Sequence, residues 1–111
     1  MELYNYQSEG SLDPNTSSQI NDQILEAETQ IELRNYDAAR LILTSLIRAD
    51  ENNFAALNDL AVLEILNENY DLALTYLMQV VSIDTQNEVA IENLQYLKER
   101  FASILSAPEN C

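Results

Sequence analysis

The sequence has few of the residues that support disulfide bonds, metal or acid–base chemistry, and irregular backbone. It contains no histidine and no tryptophan, and its single cysteine is the last residue, Cys111. An intrachain disulfide is therefore excluded, which is compatible with a reducing compartment. Glycine occurs once and proline twice, while apolar residues make up 47%. This composition favours packed helices over sheet or coil.

Positive charge is also scarce. Five Lys and Arg residues stand against 19 Asp and Glu residues, which gives a formal net charge of −14. Because such a field repels phosphate backbones and anionic lipid, we expect no nucleic acid and no acidic membrane among the partners. The same charge also keeps a small protein dispersed, whether or not it has any further role.

Long apolar segments and catalytic motifs are missing too. No apolar run approaches the roughly 18 residues of a membrane span, and the acidic N-terminal stretch lacks the basic start of a signal peptide. We therefore expect a cytoplasmic protein. With no His, no Gly-rich phosphate loop, no evident nucleophile–base pair and no EF-hand spacing, we expect no enzyme activity, no cofactor and no metal site.

What the sequence does contain is a 34-residue repeat. Residues 35–39 (Asn-Tyr-Asp-Ala-Ala) recur at 69–73 as Asn-Tyr-Asp-Leu-Ala. Under the same offset, Ala27 falls on Ala61. A fixed period in this range indicates stacked supersecondary units, and 34 residues is the period of one helix–turn–helix unit.

Apolar residues at helical spacing predict an all-α chain of five helices. The predicted helices are 17–34, 37–49, 54–67, 71–83 and 88–105. The fifth has no counterpart of the Asn-Tyr-Asp turn, so we expect one long helix that closes the stack with a polar outer face. Residues 1–16 predict a flexible acidic tail, and residues 107–111 form a short C-terminal tail.

The repeated residues resemble a known family. The units 20–53 and 54–87 resemble tetratricopeptide repeats, and 88–105 is similar to that family's C-terminal capping helix. The matching residues are Tyr36 and Tyr70, Ala39 and Ala73, Leu43 and Leu77, with Leu57, Leu60 and Ala61. The first helix departs from the pattern, with Gln23, Glu26 and Gln30 at usually apolar places. The resemblance implies antiparallel hairpins stacked as a short right-handed solenoid over residues 17–106.

The resemblance also implies a binding surface. In this family, the first helices of successive units line a concave groove that holds a ligand peptide. The groove positions carried over to this sequence are Asn21, Ile24, Glu28, Asn58, Asp59, Val62, Val89, Glu92, Asn93 and Tyr96. None of them is basic, which argues against the clamp that chaperone-binding members build from Lys and Arg for a C-terminal carboxylate. An acidic, amide-bearing groove with an apolar strip predicts a basic or amphipathic peptide or helix as the partner.

The first predicted helix carries like charges at i,i+4 spacing. Its pairs are Asp22 with Glu26 and Glu28 with Glu32, and each pair destabilises the helix slightly. Such a face either binds a cationic partner or is solvated surface, and the sequence leaves both interpretations open.

The leading functional prediction is a protein–protein interaction module that acts as an adaptor or scaffold. One alternative is a self-associating structural module, in which Phe101, Ile104 and Leu105 join helix one in forming a homo-oligomer. Two repeats with a cap lie at the lower edge of the roughly three repeats needed for stability, which favours such association. Another alternative is a small acidic chaperone for a hydrophobic segment.

Overall fold

The computed structural model describes residues 17–106, and the side chains of residues 18–102 within that range. Both predicted tails, Cys111, and the side chains of Ile104 and Leu105 lie outside the described residues. Within 17–106 the chain is all-helical, with no strand. The helices are α1 Ser17–Glu32, α2 Tyr36–Ala49, α3 Phe54–Leu66, α4 Tyr70–Ile83 and α5 Glu88–Ser106. The all-α prediction is confirmed, and each predicted helix end lies within two residues of the observed one.

The chain divides into two compact units between Glu51 and Asn52. In the first unit, α1 packs against α2 as a helical hairpin. In the second unit, α3 packs against α4, and α5 contacts both of these helices. The packed helix pairs are consistent with a helical repeat.

Small residues are fully buried in both hairpins. Ala27 and Ala39 in the first unit, and Ala61 and Ala73 in the second, are all 0% exposed. Because alanine lets two helix backbones come close, larger side chains pack around these contacts. Their complete burial is consistent with close packing of the two helices in each hairpin.

Helix α3 is buried on several sides. Seven of its 13 residues are buried, namely Ala56, Leu57, Asn58, Leu60, Ala61, Leu63 and Glu64. Two of the seven are polar, so burial here extends beyond the apolar stripe. These two residues, Asn58 and Glu64, therefore need hydrogen-bond partners inside the unit.

The turns after α1 and α3 have the same backbone geometry. Arg34 and Glu68 adopt left-handed φ values of 65° and 64°. The next residue in each turn reaches back to the helix: Asn35 N–H donates to the Gln30 carbonyl at 2.8 Å, and Asn69 N–H to the Glu64 carbonyl at 2.7 Å. This is the Schellman ending of a helix, which satisfies carbonyls that would otherwise lack a donor.

The same turns repeat a side-chain hydrogen bond as well. The Asn35 amide donates to Gln30 Oε1 at 2.9 Å, and the Asn69 amide donates to Glu64 Oε1 at 2.8 Å. The two pairs are related by the 34-residue offset. The sequence repeat thus produces the same hydrogen bond in both units, between the end of one helix and the start of the next.

The long helix α5 runs without a turn, as predicted, and its later half packs on α4. The Tyr70 and Phe101 rings meet edge to face, with centroids 5.8 Å apart and an interplanar angle of 82°. The Arg100 Nε donates to the Tyr70 hydroxyl at 3.2 Å. Phe101 is therefore engaged within the second unit. On the outer side of α5, Gln95 and Glu99 are exposed and joined by a hydrogen bond.

Candidate functional site

Helix α5 places its four predicted groove residues on one face. Val89 lies three and four residues before Glu92 and Asn93, and Tyr96 lies four and three residues after them, which aligns all four along a helix surface. Val89 is 52% exposed and Tyr96 is 48% exposed, and Glu92 between them is exposed. We call these four residues the α5 face. It combines two open apolar side chains with a carboxylate.

The predicted groove residue Asn58 on α3 is buried, with 5% of its surface exposed. Its side-chain amide donates to Asn87 Oδ1 at 3.1 Å. The same oxygen accepts the backbone N–H of Ala90 at 3.0 Å, so Asn87 caps the start of α5. Asn58 therefore has a structural contact that holds the start of α5 to α3.

The other predicted positions on α3 are intermediate in exposure. Asp59 and Val62 are both partly buried. The predicted residues of α3 are thus more enclosed than those of α5. Within the second unit, the α5 face is the open part of the predicted groove.

In the first unit, α1 presents the remaining predicted positions. Asn21 and Glu28 are exposed and Ile24 is partly buried. Their three- and four-residue spacing places them on one side of α1. The groove that would join this side of α1 with α3 and α5 stays a prediction.

The electrostatics of the two helices differ. Helix α1 carries four carboxylates and no basic residue, whereas α5 carries Lys98 and Arg100 in its second half. The Tyr70 hydroxyl, which accepts a hydrogen bond from Arg100, raises the pKa of this guanidinium above its ordinary value. Arg100 lies one turn beyond Tyr96 and is held against α4 by this contact.

The α1–α2 hairpin also contains a cavity that the sequence reasoning did not predict. It has a volume of about 280 Å³ and is lined by Gln23, Glu26, Leu41, Ile42 and Ser45. The sequence signal was the presence of polar Gln23 and Glu26 at usually apolar positions of the repeat. Only the packing of α1 on α2 shows that these positions border a cavity.

No helix in the described part of the chain has both the length and the apolar character of a membrane span. Among the described residues, no group of three or more His, Cys, Asp or Glu side chains could hold a metal ion. Comparison of the chain with protein-family models, with curated proteins and with solved structures found no match.

Proposed function

We propose that the protein is an interaction module that binds a basic or amphipathic peptide or helix and acts as an adaptor or scaffold. The two hairpins would be tetratricopeptide-like units, with the proposed groove positions on α1 in the first unit and on α3 and α5 in the second. The observation that carries this proposal is the α5 face, where exposed Glu92 lies between the half-exposed Val89 and Tyr96.

The α5 face suits a partner with both apolar and cationic side chains. Large apolar residues at i and i+7 with a polar residue between them match the anchors by which helices dock on one another. Burial of the exposed half of Val89 or Tyr96 contributes on the order of 1 kcal/mol each. Such contacts alone give weak binding, so the selectivity for a cation comes from Glu92 and the surrounding acidic surface.

Helix α1 supports the same choice of partner. Its groove side carries exposed Glu28, and the helix has no basic residue that could neutralise it locally. With a formal charge of −14 over the chain, the long-range field attracts cationic peptides and accelerates their association.

A double charge reversal tests the proposal. Glu28→Lys combined with Glu92→Lys changes two exposed carboxylates, so the helices remain intact. The affinity for a fluorescein-labelled amphipathic peptide of lysine and leucine is expected to fall about tenfold, since attraction becomes repulsion at two positions. Fluorescence anisotropy measures the affinity, and circular dichroism checks the helix content. We choose Glu92 over Asp59 for this test because Asp59 is partly buried.

The control is Asp71→Lys, an exposed charge reversal on α4 that lies outside the predicted groove. It reverses one carboxylate at another surface, and it is expected to alter the affinity less than about twofold. If the Glu28→Lys/Glu92→Lys variant binds the peptide as tightly as the parent protein, the groove assignment is wrong.

A second candidate function, self-association, is favoured by the exposed apolar side chains of α4. Four large apolar side chains of this helix are exposed, namely Leu72, Leu74, Met78 and Ile83. Asp71 is the only charged residue of α4. Leu74 and Met78 lie one turn apart, and a helix with so little charge on so acidic a chain is where two copies could approach with the least repulsion. Phe101 supports this candidate less, because its ring packs on Tyr70.

A further inference from the structure

The cavity between α1 and α2, which we call the hairpin pocket, lies away from the predicted groove. Gln23 and Glu26 border it from α1. At about 100° per residue, these two positions lie on the opposite side of α1 from Asn21, Ile24 and Glu28. The hairpin pocket is therefore a separate surface within the first unit.

The walls of the hairpin pocket combine apolar surface with one carboxylate. Leu41 and Ile42 supply the apolar wall, and Leu41 is 66% exposed. Glu26 accepts a hydrogen bond from the Gln30 amide at 2.7 Å through Oε2. A carboxylate accepts about four hydrogen bonds, so Glu26 retains acceptor capacity beside the apolar wall.

No salt bridge to Glu26 forms within the part of the chain that the structure describes. Its helix has no basic residue, and Asp22 lies one turn before it. This environment favours the approach of a cation from outside the hairpin.

The size of the hairpin pocket narrows the choice of ligand. A volume of about 280 Å³ lies just below the range of roughly 300–1,000 Å³ typical of small-molecule sites. A single long side chain is the better match. Lysine and arginine carry apolar stems that pack along aliphatic surface while the charged head reaches a polar group.

We propose that the hairpin pocket binds one lysine or arginine side chain of a basic partner. The aliphatic stem lies against Leu41 and Ile42, and the cationic head pairs with Glu26. This inference rests on the proposed function for the basic character of the partner, but it uses none of the predicted groove residues. The chain's own residues 1–16 are a poorer occupant, because they contain Glu2, Glu9 and Asp13 and no Lys or Arg.

Titration with small probes tests the pocket directly. The probes are n-butylammonium and n-butylguanidinium, which reproduce the two side chains, and 1-butanol, which lacks the charge. The NMR signals of Leu41, Ile42 and Glu26 are expected to shift saturably with both cations and to shift less with 1-butanol. Absence of a saturable shift with the cations, or an equal response to 1-butanol, would overturn the proposal.

Variants of the wall residues test whether the NMR shifts arise from binding in the hairpin pocket. Glu26→Gln removes the charge and keeps the shape, and it is expected to weaken binding of n-butylammonium about two- to fivefold, the range for exposed ion pairs. Leu41→Gln removes the apolar wall and should weaken binding by a similar factor. The matched controls are Glu32→Gln and Leu33→Gln, exposed positions of the same unit that border neither the pocket nor the predicted groove. Equal losses in the controls would show that the probes respond to general charge and apolarity.

The lysine–leucine peptide separates this inference from the proposed function. If Glu26→Gln weakens peptide binding while Glu28→Lys/Glu92→Lys does not, the pocket proposal is supported and the groove proposal is wrong. If only the groove variant weakens binding, the pocket proposal fails and the groove stands; if neither does, both fail. Nuclear Overhauser contacts from Tyr4 or Tyr6 to Leu41 in the unliganded protein would also overturn the proposal, since residues 1–16 would then be the occupant.

Discussion

At the scale of single residues, the 34-residue repeat is visible in the hydrogen bonds that equivalent side chains accept. Gln30 and Glu64 occupy equivalent positions, and each accepts a hydrogen bond from the asparagine five residues later. Gln30 is partly buried and neutral, whereas Glu64 is 1% exposed and carries a carboxyl group. The turn therefore requires an acceptor oxygen at this position, and either an amide or a carboxyl group can supply it.

This equivalence predicts the effect of Glu64→Gln. The amide keeps the acceptor for Asn69 and removes the cost of burying a carboxylate, so the free energy of unfolding should stay within about 1 kcal/mol of the parent value or rise above it. Glu64→Ala should lower it by about 2–4 kcal/mol, because a cavity forms and the Asn69 amide loses its partner. Urea denaturation followed by circular dichroism measures both changes.

The reverse exchange in the first unit is the control. Gln30→Glu replaces the amide that donates to Glu26 at 2.7 Å with a second carboxylate, so it should lower the stability. If Glu64→Gln destabilises the protein as much as Glu64→Ala, the charge of Glu64 is itself required and the equivalence of the two turns is wrong.

At the scale of the helix, the start of α5 depends on one side chain more than the start of α3 does. Asn53 caps α3 by accepting the Ala56 N–H at 3.0 Å. Its 34-residue counterpart Asn87 caps α5 in the same way and also accepts the Asn58 amide. Asn87 in turn donates to Asp84 Oδ2 at 3.2 Å. One residue thus both begins a helix and joins it to a neighbouring helix.

The two caps should therefore differ in their contribution to stability. Asn53→Ala removes one hydrogen bond and is expected to lower the free energy of unfolding by about 1 kcal/mol. Asn87→Ala removes three and leaves the amide of buried Asn58 unpaired, so the loss should reach about 2–3 kcal/mol. A double-mutant cycle of Asn87→Ala with Asn58→Ala should give a coupling of about 1 kcal/mol. Equal losses for the two caps, with no coupling, would contradict a joining role for Asn87.

For the whole molecule, the balance between net charge and exposed apolar surface governs association. Specific interfaces bury about 800 Å² on each partner, which is more than four half-exposed side chains on α4 provide. Any self-association through this surface must therefore be weak at low concentration, and a charge of −14 on each copy opposes it further.

Static light scattering from micromolar to millimolar protein tests self-association. If the second candidate function holds, the mass should rise with concentration, and added salt should promote the rise by screening the repulsion. The variant Leu74→Lys/Met78→Lys should abolish the rise. A strict monomer at the highest concentration in high salt would eliminate this function and leave the interaction module.

Much of the fold could be predicted because it depends on local sequence. Helices α3, α4 and α5 begin directly after Asn53, Asn69 and Asn87. These starts follow from turn and capping residues next to apolar stripes, and their positions are read from the 34-residue offset. The candidate site was less accessible to prediction. The family resemblance placed Asn58 among ligand-binding positions, and only the structure shows that its amide donates to Asn87, 29 residues away.

The sequence by itself determined five helices, the turns between them and the acidic character of the surface, since each depends on residues close together in the chain or on composition alone. Only the tertiary structure decided which polar side chains are enclosed and which apolar ones remain open. Glu64 is buried while Leu41 is exposed beside Glu26, although hydropathy favours the opposite for both residues. Burial depends on how helices distant in the sequence pack together, and this packing also forms the α5 face and the hairpin pocket.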